Sequence, residues 1–449
     1  MAVLLQTIFL FVFLLIGCPK TTAIHTCNSP TPSSTIPIFH IYGKCSPFNI
    51  PTLRNSSWLQ TVITMAERDI SRLAYLSSLL STHTNAPISS GKQLMQTANY
   101  VVRVRLGSPP QTMFMVLDTS SDSAWIQCSG CQTCPFRNTM FSTENSFTYT
   151  TMDCSSPLCS LLRGATQCTS GESSQRYCTF SQSYGDSTFS ACLSADDLTL
   201  GSDVVENYAF GCINSVTGGG NSMPKQGLLG MGRGPTSLLS QTEWLYRGVF
   251  SYCFPSFTSY FFSGSLRLGR VGQRSKMATT PLLYNPRRPS LYYVNLTGIS
   301  VGRTFLDVEQ DFLKFDPSTG AGTIIDSGTV ISRLVTPLYN AVRDEFRYQV
   351  GATEYTSLGA FDTCFSTEKD GGPMTPKLTL HFTGLNLVLP MENTLIHSTG
   401  RPLACLAMAA SPDNVNSVLN VIANLQQQNH RVLFDVPNSR VDIVRELCS

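Results

Sequence analysis

The sequence predicts a protein that is mostly β-sheet and is built from two similar halves. After about residue 97, short runs of β-branched and aromatic residues are divided by Gly, Pro and Ser, which is the pattern of short strands and turns. Only 13% of the residues are charged, roughly half the share in ordinary soluble domains. Because long helices usually carry charged faces, few long helices are expected. Strands do not alternate with helices, so a parallel α/β fold is not expected.

Composition and charge exclude other classes of protein. Of the 449 residues 42% are hydrophobic, which is typical of a globular chain and not of a disordered one. The formal net charge is only +2, so there is no electrostatic reason to expect a nucleic-acid partner. We expect a monomer that has no membrane partner once its N-terminal segment is removed.

The N-terminus has the features of a secretory signal. Residues 3–17 form one apolar run that is too short to span a bilayer comfortably, and small residues after it suit cleavage by signal peptidase. We therefore assign residues 1–23 to a signal peptide rather than a membrane anchor, and we expect a secreted protein. Two sequons, which begin at Asn55 and Asn295, are candidate glycosylation sites on that route.

The cysteines agree with an oxidising compartment. Of the 16, ten lie between Cys128 and Cys253, a density that is typical of disulfides. The run Cys128-x-x-Cys131-x-x-Cys134 could instead hold a metal, but no His follows at the spacing of a zinc finger, so disulfides are favoured. Residues 97–449 hold 13 cysteines, an odd number, so at least one has no partner within that region.

Residues 24–96 differ from the rest of the chain. Their net charge is +3, from five Lys and Arg against two Asp and Glu, whereas residues 97–449 carry −2, from 25 against 27. A basic segment ahead of a slightly acidic body is typical of a propeptide that lies over an acidic site, so we assign residues 24–96 to a propeptide. Within it, residues 24–50 are expected to form loops and residues 57–80 an amphipathic helix. The predicted apolar face of that helix comprises Leu59, Ile63, Ile70, Leu73, Leu76 and Leu80.

A faint internal repeat places one carboxylate in each half. The segments MVLDTSS and TIIDSGT contain Asp118 and Asp326, which are 208 residues apart. Each segment is followed by a second apolar element, at residues 227–230 and 420–424. Two similar β-rich halves that each present a carboxylate after a buried strand predict a pseudo-twofold site in a cleft between two lobes.

Two adjacent carboxyl groups can catalyse hydrolysis without a metal, a cofactor or a covalent intermediate. They cannot both ionise cheaply, so they share a proton, and the pair can take a proton from water while it donates one to a carbonyl oxygen. The one competing catalytic motif is Gly298-Ile299-Ser300-Val301-Gly302, which matches a serine nucleophile elbow. No convincing helix start follows it, so we interpret it as the turn of a β-hairpin.

These motifs resemble those of pepsin-fold aspartic peptidases, in particular the secreted nepenthesin-like branch of plants. The resemblance covers residues 98–449 and includes the Asp118 triplet, Tyr184-Gly185-Asp186, GLLGMGRGPTSLLSQ, IIDSGTVISRL and NLQQQNHRVLFDV. It implies an all-β dominated, bilobal fold whose cleft binds an extended peptide. The lobes are expected at residues 97–288 and 289–449.

The resemblance also implies a role for each site residue. Asp118 and Asp326 are predicted to form the catalytic dyad. The predicted substrate-binding residues are Tyr184 in a flap over the cleft, Trp125 as its hydrogen-bonding support, Ser121 and Thr329. The expected function is an aspartic endopeptidase of the apoplast or cell wall that is made as a zymogen and hydrolyses polypeptides. The alternative is a weak or inactive homologue that acts as an extracellular binding or inhibitor protein, and the retention of both aspartates argues against it.

Three departures from the family pattern stand out. The first triplet ends in Ser120 where Gly is usual, the flap motif continues with Ser187-Thr188, and Ala423 replaces a Gly in the second lobe. The hydroxyl of Ser120 is expected to donate to Asp118, and its bulk is expected to hold the two loops slightly apart. The resemblance calls for no Cys after the flap, so Cys192 is the expected free cysteine, and Cys364 is expected to pair with Cys405.

Overall fold

The fold is dominated by strands and has two lobes, as the sequence predicted. Among the described residues, most of the strands belong to one sheet of 20 strands, and the others form two sheets of four. The computed structural model describes residues 35–43, 45–46, 58–78, 100–134, 140–162, 165–170, 176–184, 187–218, 223–224, 227–256, 264–367, 375–398, 401–412 and 417–448.

The described residues contain these elements. The strands are β1 Thr35–His40, β2 Tyr100–Leu106, β3 Gln111–Asp118, β4 Trp125–Gln127, β5 Thr150–Thr151, β6 Ala165–Ser170, β7 Arg176–Tyr184, β8 Ser187–Leu200, β9 Asp203–Gly218, β10 Gly227–Gly230, β11 Val249–Cys253, β12 Gly264–Leu268, β13 Ala278–Leu283, β14 Tyr293–Val294, β15 Leu296–Val301, β16 Thr304–Phe305, β17 Gly322–Ile325, β18 Ser332–Leu334, β19 Thr356–Leu358, β20 Phe361–Ser366, β21 Leu378–Phe382, β22 Leu385–Val388, β23 Leu395–His397, β24 Leu403–Leu406, β25 Met408–Ala410, β26 Leu419–Ile422, β27 His430–Asp435 and β28 Arg440–Arg445. The helices are α1 Trp58–Ser78, α2 Pro157–Leu161, α3 Leu238–Gln241, α4 Glu243–Tyr246, α5 Thr336–Val350, α6 Met391–Thr394 and α7 Asn424–Gln427, with 3-10 turns at Thr143–Asn145 and Gln310–Phe312.

The internal repeat is present in the structure. Strand β3, which ends at Asp118, runs parallel to β10, with Leu117 opposite Leu229. Strand β17, which ends one residue before Asp326, runs parallel to β26 in the same way. Each aspartate therefore lies at the carboxyl end of a buried strand whose parallel partner is the second apolar element of its half. This arrangement, made twice, brings the two halves' loops into one site.

Helix α1 agrees with the helix expected at residues 57–80. Its apolar face is buried against the second lobe, where its first half packs near Val330 and Ile331 and its second half packs near Ile324 and Val421. Most of the stability of a helix in a protein comes from the packing of its apolar face, so the 21-residue helix α1 depends on this contact. Of the predicted face, Leu59, Ile63, Leu73 and Leu76 are buried, Ile70 is half-buried, and Leu80 lies outside the described residues.

The expectation that residues 24–50 form only loops is wrong for β1. This strand pairs antiparallel with β2 and with β12, and it buries Ile36 and Ile38. Pro37 lies between the two isoleucines, and a proline inside a run argues against a strand in sequence analysis. Here the burial of Ile36 and Ile38 stabilises the strand by more than it loses through the backbone hydrogen bond that Pro37 cannot donate.

Sequence reasoning also missed helix α5. The signals were present, because Pro337 lies in the first turn and Gly351, with φ of 62°, follows the last residue. The helix buries Leu338, Val342 and Phe346 against the second lobe. Its four charged residues, Arg343, Asp344, Glu345 and Arg347, were a further signal of a helix that has one face toward solvent.

Two other motifs can be compared with the structure. Residues 298–302 lie on β15 and in the turn to β16, so the hairpin interpretation of the G-x-S-x-G match is confirmed. Asn295 is partly exposed and its Nδ2 donates to Thr383 at 2.8 Å, whereas Asn55 lies outside the described residues. None of the helices in the described ranges is long and apolar enough to cross a bilayer.

The cysteines form disulfides as expected. The predicted pair of Cys364 and Cys405 is confirmed, and Cys192 is the free cysteine among the 13 of residues 97–449, all of which the structure describes. The predicted preference for disulfides over a metal in the Cys128 cluster is also confirmed, because Cys131 and Cys134 are bonded to each other. The bonded pairs within residues 97–449 are Cys128–Cys212, Cys131–Cys134, Cys154–Cys168, Cys159–Cys178, Cys253–Cys448 and Cys364–Cys405.

We expect alkylation without reductant to label Cys192 alone within residues 97–449. Burial raises the pKa of its thiol, and Asn214 donates to its Sγ at 3.4 Å, so the label should enter slowly in the native protein and quickly in guanidinium. Peptide mapping by mass spectrometry is the measurement, and a Cys192→Ser variant is the blank. Label on any other cysteine of this region, or none on Cys192 after denaturation, contradicts the prediction.

Candidate active site

Asp118 and Asp326 lie close together in the interior, on equivalent loops. Both side chains are fully buried. Each carboxyl group accepts a backbone N–H from the residue two positions on, from Ser120 to Asp118 Oδ1 at 2.9 Å and from Gly328 to Asp326 Oδ1 at 3.4 Å. The two loops therefore hold the Oδ1 atoms in matching positions.

The loops are joined by reciprocal hydrogen bonds. The backbone N–H of Thr119 donates to Ser327 Oγ, and the backbone N–H of Ser327 donates to Thr119 Oγ1, both at 3.0 Å. The hydroxyl of Ser327 donates in turn to the carbonyl oxygen of Leu117. Both cross-loop bonds have ordinary lengths, so the bulk of Ser120 does not stop the loops from meeting.

Hydroxyl groups hold the other oxygens of the two carboxyls. Ser121 Oγ donates to Asp118 Oδ2 at 3.0 Å, and Thr329 Oγ1 donates to Asp326 Oδ2 at 2.5 Å. Both hydroxyls that the sequence singled out are thus at the two aspartates. Ser120 Oγ donates to Asp118 Oδ1 at 3.0 Å, as expected. Donation to a carboxylate favours its ionised form.

Sequence reasoning missed the residue that contacts both aspartates, Arg72 of helix α1. Its Nη2 lies 2.8 Å from Asp118 Oδ1 and 2.6 Å from Asp326 Oδ1. Its Nη1 donates to Asp118 Oδ2 at 3.2 Å, its Nε donates to Asp326 Oδ2 at 2.7 Å, and Nη2 also donates to Ser120 Oγ at 2.6 Å. The guanidinium thus bonds all four carboxyl oxygens, and Nη2 occupies the place that a water shared by both carboxyls must take.

The charge of Arg72 changes the protonation of the site. Burial raises the pKa of Asp118, but the charge of Arg72 and its hydrogen bonds outweigh burial and hold that pKa below its usual value. Burial likewise opposes the charge of Arg72, and the two carboxylates still hold its pKa above its usual range. Asp118 is therefore kept ionised, and the pair cannot serve as one acid and one base while Arg72 is in place.

A second polar residue of α1, Asp69, binds the backbone beside the dyad. Its carboxylate accepts the N–H of Val330 at 3.0 and 2.9 Å and the N–H of Ile331 at 3.1 Å. Burial raises the pKa of Asp69 to about 7, against the attraction of Arg333 and the two N–H groups. Arg333 itself donates through Nη2 to the carbonyl oxygen of Ala66 at 2.8 Å. Helix α1 is thus attached to the second lobe by polar contacts as well as by its apolar face.

The structure describes the predicted flap only in part. Tyr184 is the last residue of β7 and pairs with Ser187, the first residue of β8, while its side chain, Gly185 and Asp186 lie outside the described residues. Trp125 is buried at the start of β4, and its ring packs against Phe189 of β8, with 5.0 Å between the centroids. Trp125 therefore supports the strand that leads away from the flap, and its hydrogen bond to Tyr184 stays a prediction.

Comparisons of sequence show which family and which proteins this chain resembles. Family models described as "Xylanase inhibitor N-terminal" and "Xylanase inhibitor C-terminal" match residues 100–270 and 291–444. "Aspartyl protease AED3" of Arabidopsis thaliana is 55% identical over 448 residues, with 98% of each chain covered. "Aspartyl protease 25" of Oryza sativa subsp. japonica is 51% identical over 87% of this chain and 91% of its own. "Aspartic proteinase nepenthesin-1" of Nepenthes gracilis is 34% identical over 88% of both.

Solved structures share the fold at lower identity. The structure titled "Crystal structure of edgp" has a TM-score of 0.61 and 20% identity, and covers 80% of this chain and 93% of its own. Basic 7S globulin from soybean has a TM-score of 0.60 and 19% identity, and covers 77% of this chain and 92% of its own. At these identities the two structures support the two-lobed fold alone.

We expect Ser120→Gly to raise the turnover of a peptide substrate several-fold without changing thermal stability. The substitution removes a hydroxyl that donates to Asp118 and favours its ionised form, for which we expect a penalty of about 1 kcal/mol, roughly fivefold in rate. The measurement is kcat on one peptide from pH 3 to 6, with Ser121→Ala as the contrasting loss of a hydroxyl. An equal or slower Ser120→Gly protein at every pH means that Ser120 is accommodated.

Proposed function

The chain belongs to the plant family of pepsin-like aspartic proteases, and from that membership we propose that it is a secreted endopeptidase made as an inactive precursor. One observation carries the proposal. Two buried carboxyl groups on equivalent loops, Asp118 and Asp326, lie near enough for one guanidinium nitrogen to bond both. Polypeptides are the substrates that the related proteases imply.

The site supports general acid–base hydrolysis once Arg72 has left. Asp118 and Asp326 then share one proton between them, because two carboxylates at this separation repel each other. The ionised carboxyl takes a proton from the shared water while the protonated one gives its proton to the carbonyl oxygen of the scissile bond. In the same step the water oxygen bonds to the carbonyl carbon and gives a tetrahedral diol. The carboxyl that took the water proton then gives it to the nitrogen, the other carboxyl takes a hydroxyl proton from the diol, and the C–N bond breaks to yield a carboxylic acid and an amine.

Residues 24–96 act in this proposal as the propeptide, and Arg72 is its inhibitory group. The Asp118 contact contributes to the docking of α1 at pH values above the ordinary pKa of an aspartate, and this contribution is lost as the pH falls through the lowered pKa of Asp118. Asp69 has the opposite effect, because its pKa is raised to about 7: its contribution to docking is fully present below the ordinary pKa of an aspartate and is lost as the pH rises to about 7. The helix should therefore be held most tightly in mildly acidic solution and released in stronger acid.

The proposed location is the apoplast or cell wall. The six disulfides within residues 97–449 support an oxidising compartment. The same proposal includes removal of a signal peptide at residues 1–23 and glycosylation of the two sequons. The N-terminus of the protein recovered from culture medium tests the first, and its mass tests the second.

A second candidate function is that of a binding or inhibitor protein. The descriptions of the two matched family models, which name xylanase inhibitors, favour it. The complete set of donors around both carboxyl groups favours an enzyme, because a protein that only binds has no need of two buried aspartates fixed at one point. Pepstatin-sensitive cleavage of a denatured protein near pH 4 separates the two candidates.

We expect Asp118→Asn and Asp326→Asn each to abolish peptidase activity with little change in folding. An amide keeps the shape of the carboxyl group but can neither take a proton from water nor share one with its partner. Asp344→Asn, on the exposed face of α5, is the matched control and should keep full activity. Substantial pepstatin-sensitive turnover in either dyad variant would overturn the assignment.

We expect the full-length Arg72→Gln protein to mature at pH 5 at least tenfold faster than the unchanged protein. Loss of one partner from a buried ion pair costs on the order of 3–5 kcal/mol, so α1 should dock more weakly. Glu67→Gln, on the exposed side of α1, is the control for a change of charge. Gel analysis and N-terminal sequencing are the measurements, with the active form expected to begin near residues 90–98. A wild-type rate in Arg72→Gln, or an active form that begins near residue 24, contradicts the zymogen proposal.

A further inference from the structure

We propose that an N-linked glycan on Asn295 packs on the exposed ring of Phe305 and stabilises the second lobe. Asn295 begins one of the two sequons of the chain. The inference rests on the proposed secretory route, because the chain receives such a glycan only there, and it does not depend on peptidase activity. The sugar that joins asparagine in these glycans is N-acetylglucosamine, so the ligand is one hexose ring with an acetamido group.

Asn295 points to the outer face of the four-stranded sheet that contains β16, β15, β21 and β22 in that order. Leu296 pairs with Phe382, and both side chains are buried on the inner face. Asn295 comes one residue earlier and Thr383 one residue later, so both side chains point outward. The backbone N–H of Thr383 donates to the carbonyl oxygen of Asn295 at 3.1 Å, which continues the pairing by one residue. A glycan therefore leaves the protein from the outer face of this sheet.

The Asn295 side chain is already held in position. Its Nδ2 donates to Thr383 Oγ1 at 2.8 Å. A sugar replaces one of the two hydrogens on Nδ2 and leaves the other, so the bond to Thr383 is compatible with attachment. This bond fixes the amide group from which the first sugar projects. The sugar therefore loses less orientational freedom when it packs on a neighbouring surface.

The ring of Phe305 lies on the same face and leans toward Asn295. Phe305 pairs with Ser300, so its side chain starts in the same row as that of Ser300. Its ring lies over Gly298, because a Cβ added to Gly298 would collide with the ring. Gly298 pairs with His381, which is one outward row nearer to Asn295. The glycine thus allows the ring to lie flat on β15 at that row.

The attachment point and the ring are close together. His381 and Thr383 are two residues apart on one strand, which is about 7 Å. His381 marks the row of the Phe305 ring, with 5.4 Å between the two ring centroids. Thr383 marks the row of Asn295. A sugar on Nδ2 extends beyond its own row, so it can cover the ring without any change in the backbone.

The surface that receives the sugar is rigid. The imidazole of His381 is bonded on both sides, with Nε2 at 2.7 Å from Ser300 Oγ and Nδ1 at 2.9 Å from Asn386 Oδ1. The fixed imidazole in turn limits the movement of the Phe305 ring beside it. A surface that is ordered before it binds loses little conformational entropy when the ligand arrives.

The exposure of Phe305 supplies the reason for the contact. Its side chain is 56% exposed, although the neighbouring outward side chains of Ser300 and His381 are polar. Contact between an aromatic ring and water is unfavourable, and covering the ring removes it. A hexose suits this surface because the C–H groups of one face cover the ring while the hydroxyl groups stay in water. The glycan is favoured over a separate partner because its attachment one row away gives it a high effective concentration at the ring.

The test is a double-mutant cycle in the full-length protein, secreted by a host that attaches high-mannose glycans, with Asn55→Gln present throughout so that only the second sequon is used. Thermal unfolding is measured with and without Asn295→Gln, each with and without Phe305→Ala. We expect loss of the glycan to lower Tm by about 2 °C more when Phe305 is present than in Phe305→Ala. Trp244→Ala removes a ring that is 61% exposed on α4, and this matched control should leave the effect of the glycan unchanged.

Two further measurements locate the contact. Endoglycosidase H leaves the first N-acetylglucosamine on Asn295, and this trimmed protein should keep the whole effect on Tm, because the first sugar makes the contact. Backbone hydrogen exchange of β15 and β16, followed by mass spectrometry, should be slower with the sugar than without it. This difference should disappear in Phe305→Ala. Removal of the glycan by peptide N-glycosidase F gives the sugar-free protein if Asn295→Gln is not recovered.

Three results would overturn the inference. The first is a glycan effect on Tm that is the same in Phe305→Ala. The second is an unmodified Asn295 in glycopeptide mapping of the secreted protein, which also rejects glycosylation at that sequon but leaves the peptidase proposal as it stands. The third is a change of molecular mass in solution caused by Phe305→Ala and seen by light scattering, which assigns the ring to a contact between copies of the chain.

Discussion

Two carboxyl groups buried side by side are the constraint on which the rest of this structure depends. Burial and mutual repulsion both oppose their ionisation, so the site must either share a proton or take in a cation. Arg72 is that cation, and it satisfies both Asp118 and Asp326 from a helix that belongs to neither lobe's sheet. The position of α1 follows from this requirement, because its apolar face must lie along the second lobe for Arg72 to reach the dyad.

The dyad itself could be predicted from sequence because its geometry is encoded locally and twice. Each aspartate follows a buried strand, and each strand has a parallel partner about a hundred residues later. A repeated local pattern predicts a symmetric site without any knowledge of long-range contacts, and the Ser121 and Thr329 hydroxyls come with it because they are three residues from their carboxyls. The catalytic role of these residues remains a prediction, as does the role of Tyr184.

What the sequence did not reveal depends on contacts between distant segments. The basic charge of residues 24–96 indicated that a Lys or Arg lies over an acidic site. It did not indicate which residue, because this segment contains five of them. One signal was overlooked: Asp69 and Arg72 lie at helical spacing within the stripe that also holds Leu73 and Leu76, so two polar residues interrupt a buried face. Polar residues in such a stripe must have partners, and the only question is where those partners lie. Strand β1 was missed for a related reason, because its neighbours β2 and β12 are supplied by remote parts of the chain.

The interrupted face of α1 also bears on what the cleft can bind. A helix that fills a peptide-binding cleft has to satisfy the same donors and charges that the cleft offers to a substrate, although its backbone is curled where a substrate is extended. Arg72 donates hydrogen bonds to the dyad. A substrate instead brings a carbonyl carbon and a water to the same two carboxyl groups. Asp69 accepts hydrogen bonds from two backbone N–H groups, and nothing about those donors is specific to a helix. The two residues therefore differ in kind: Arg72 occupies the point between the two carboxyl groups, whereas Asp69 fixes the helix to backbone donors beside that point.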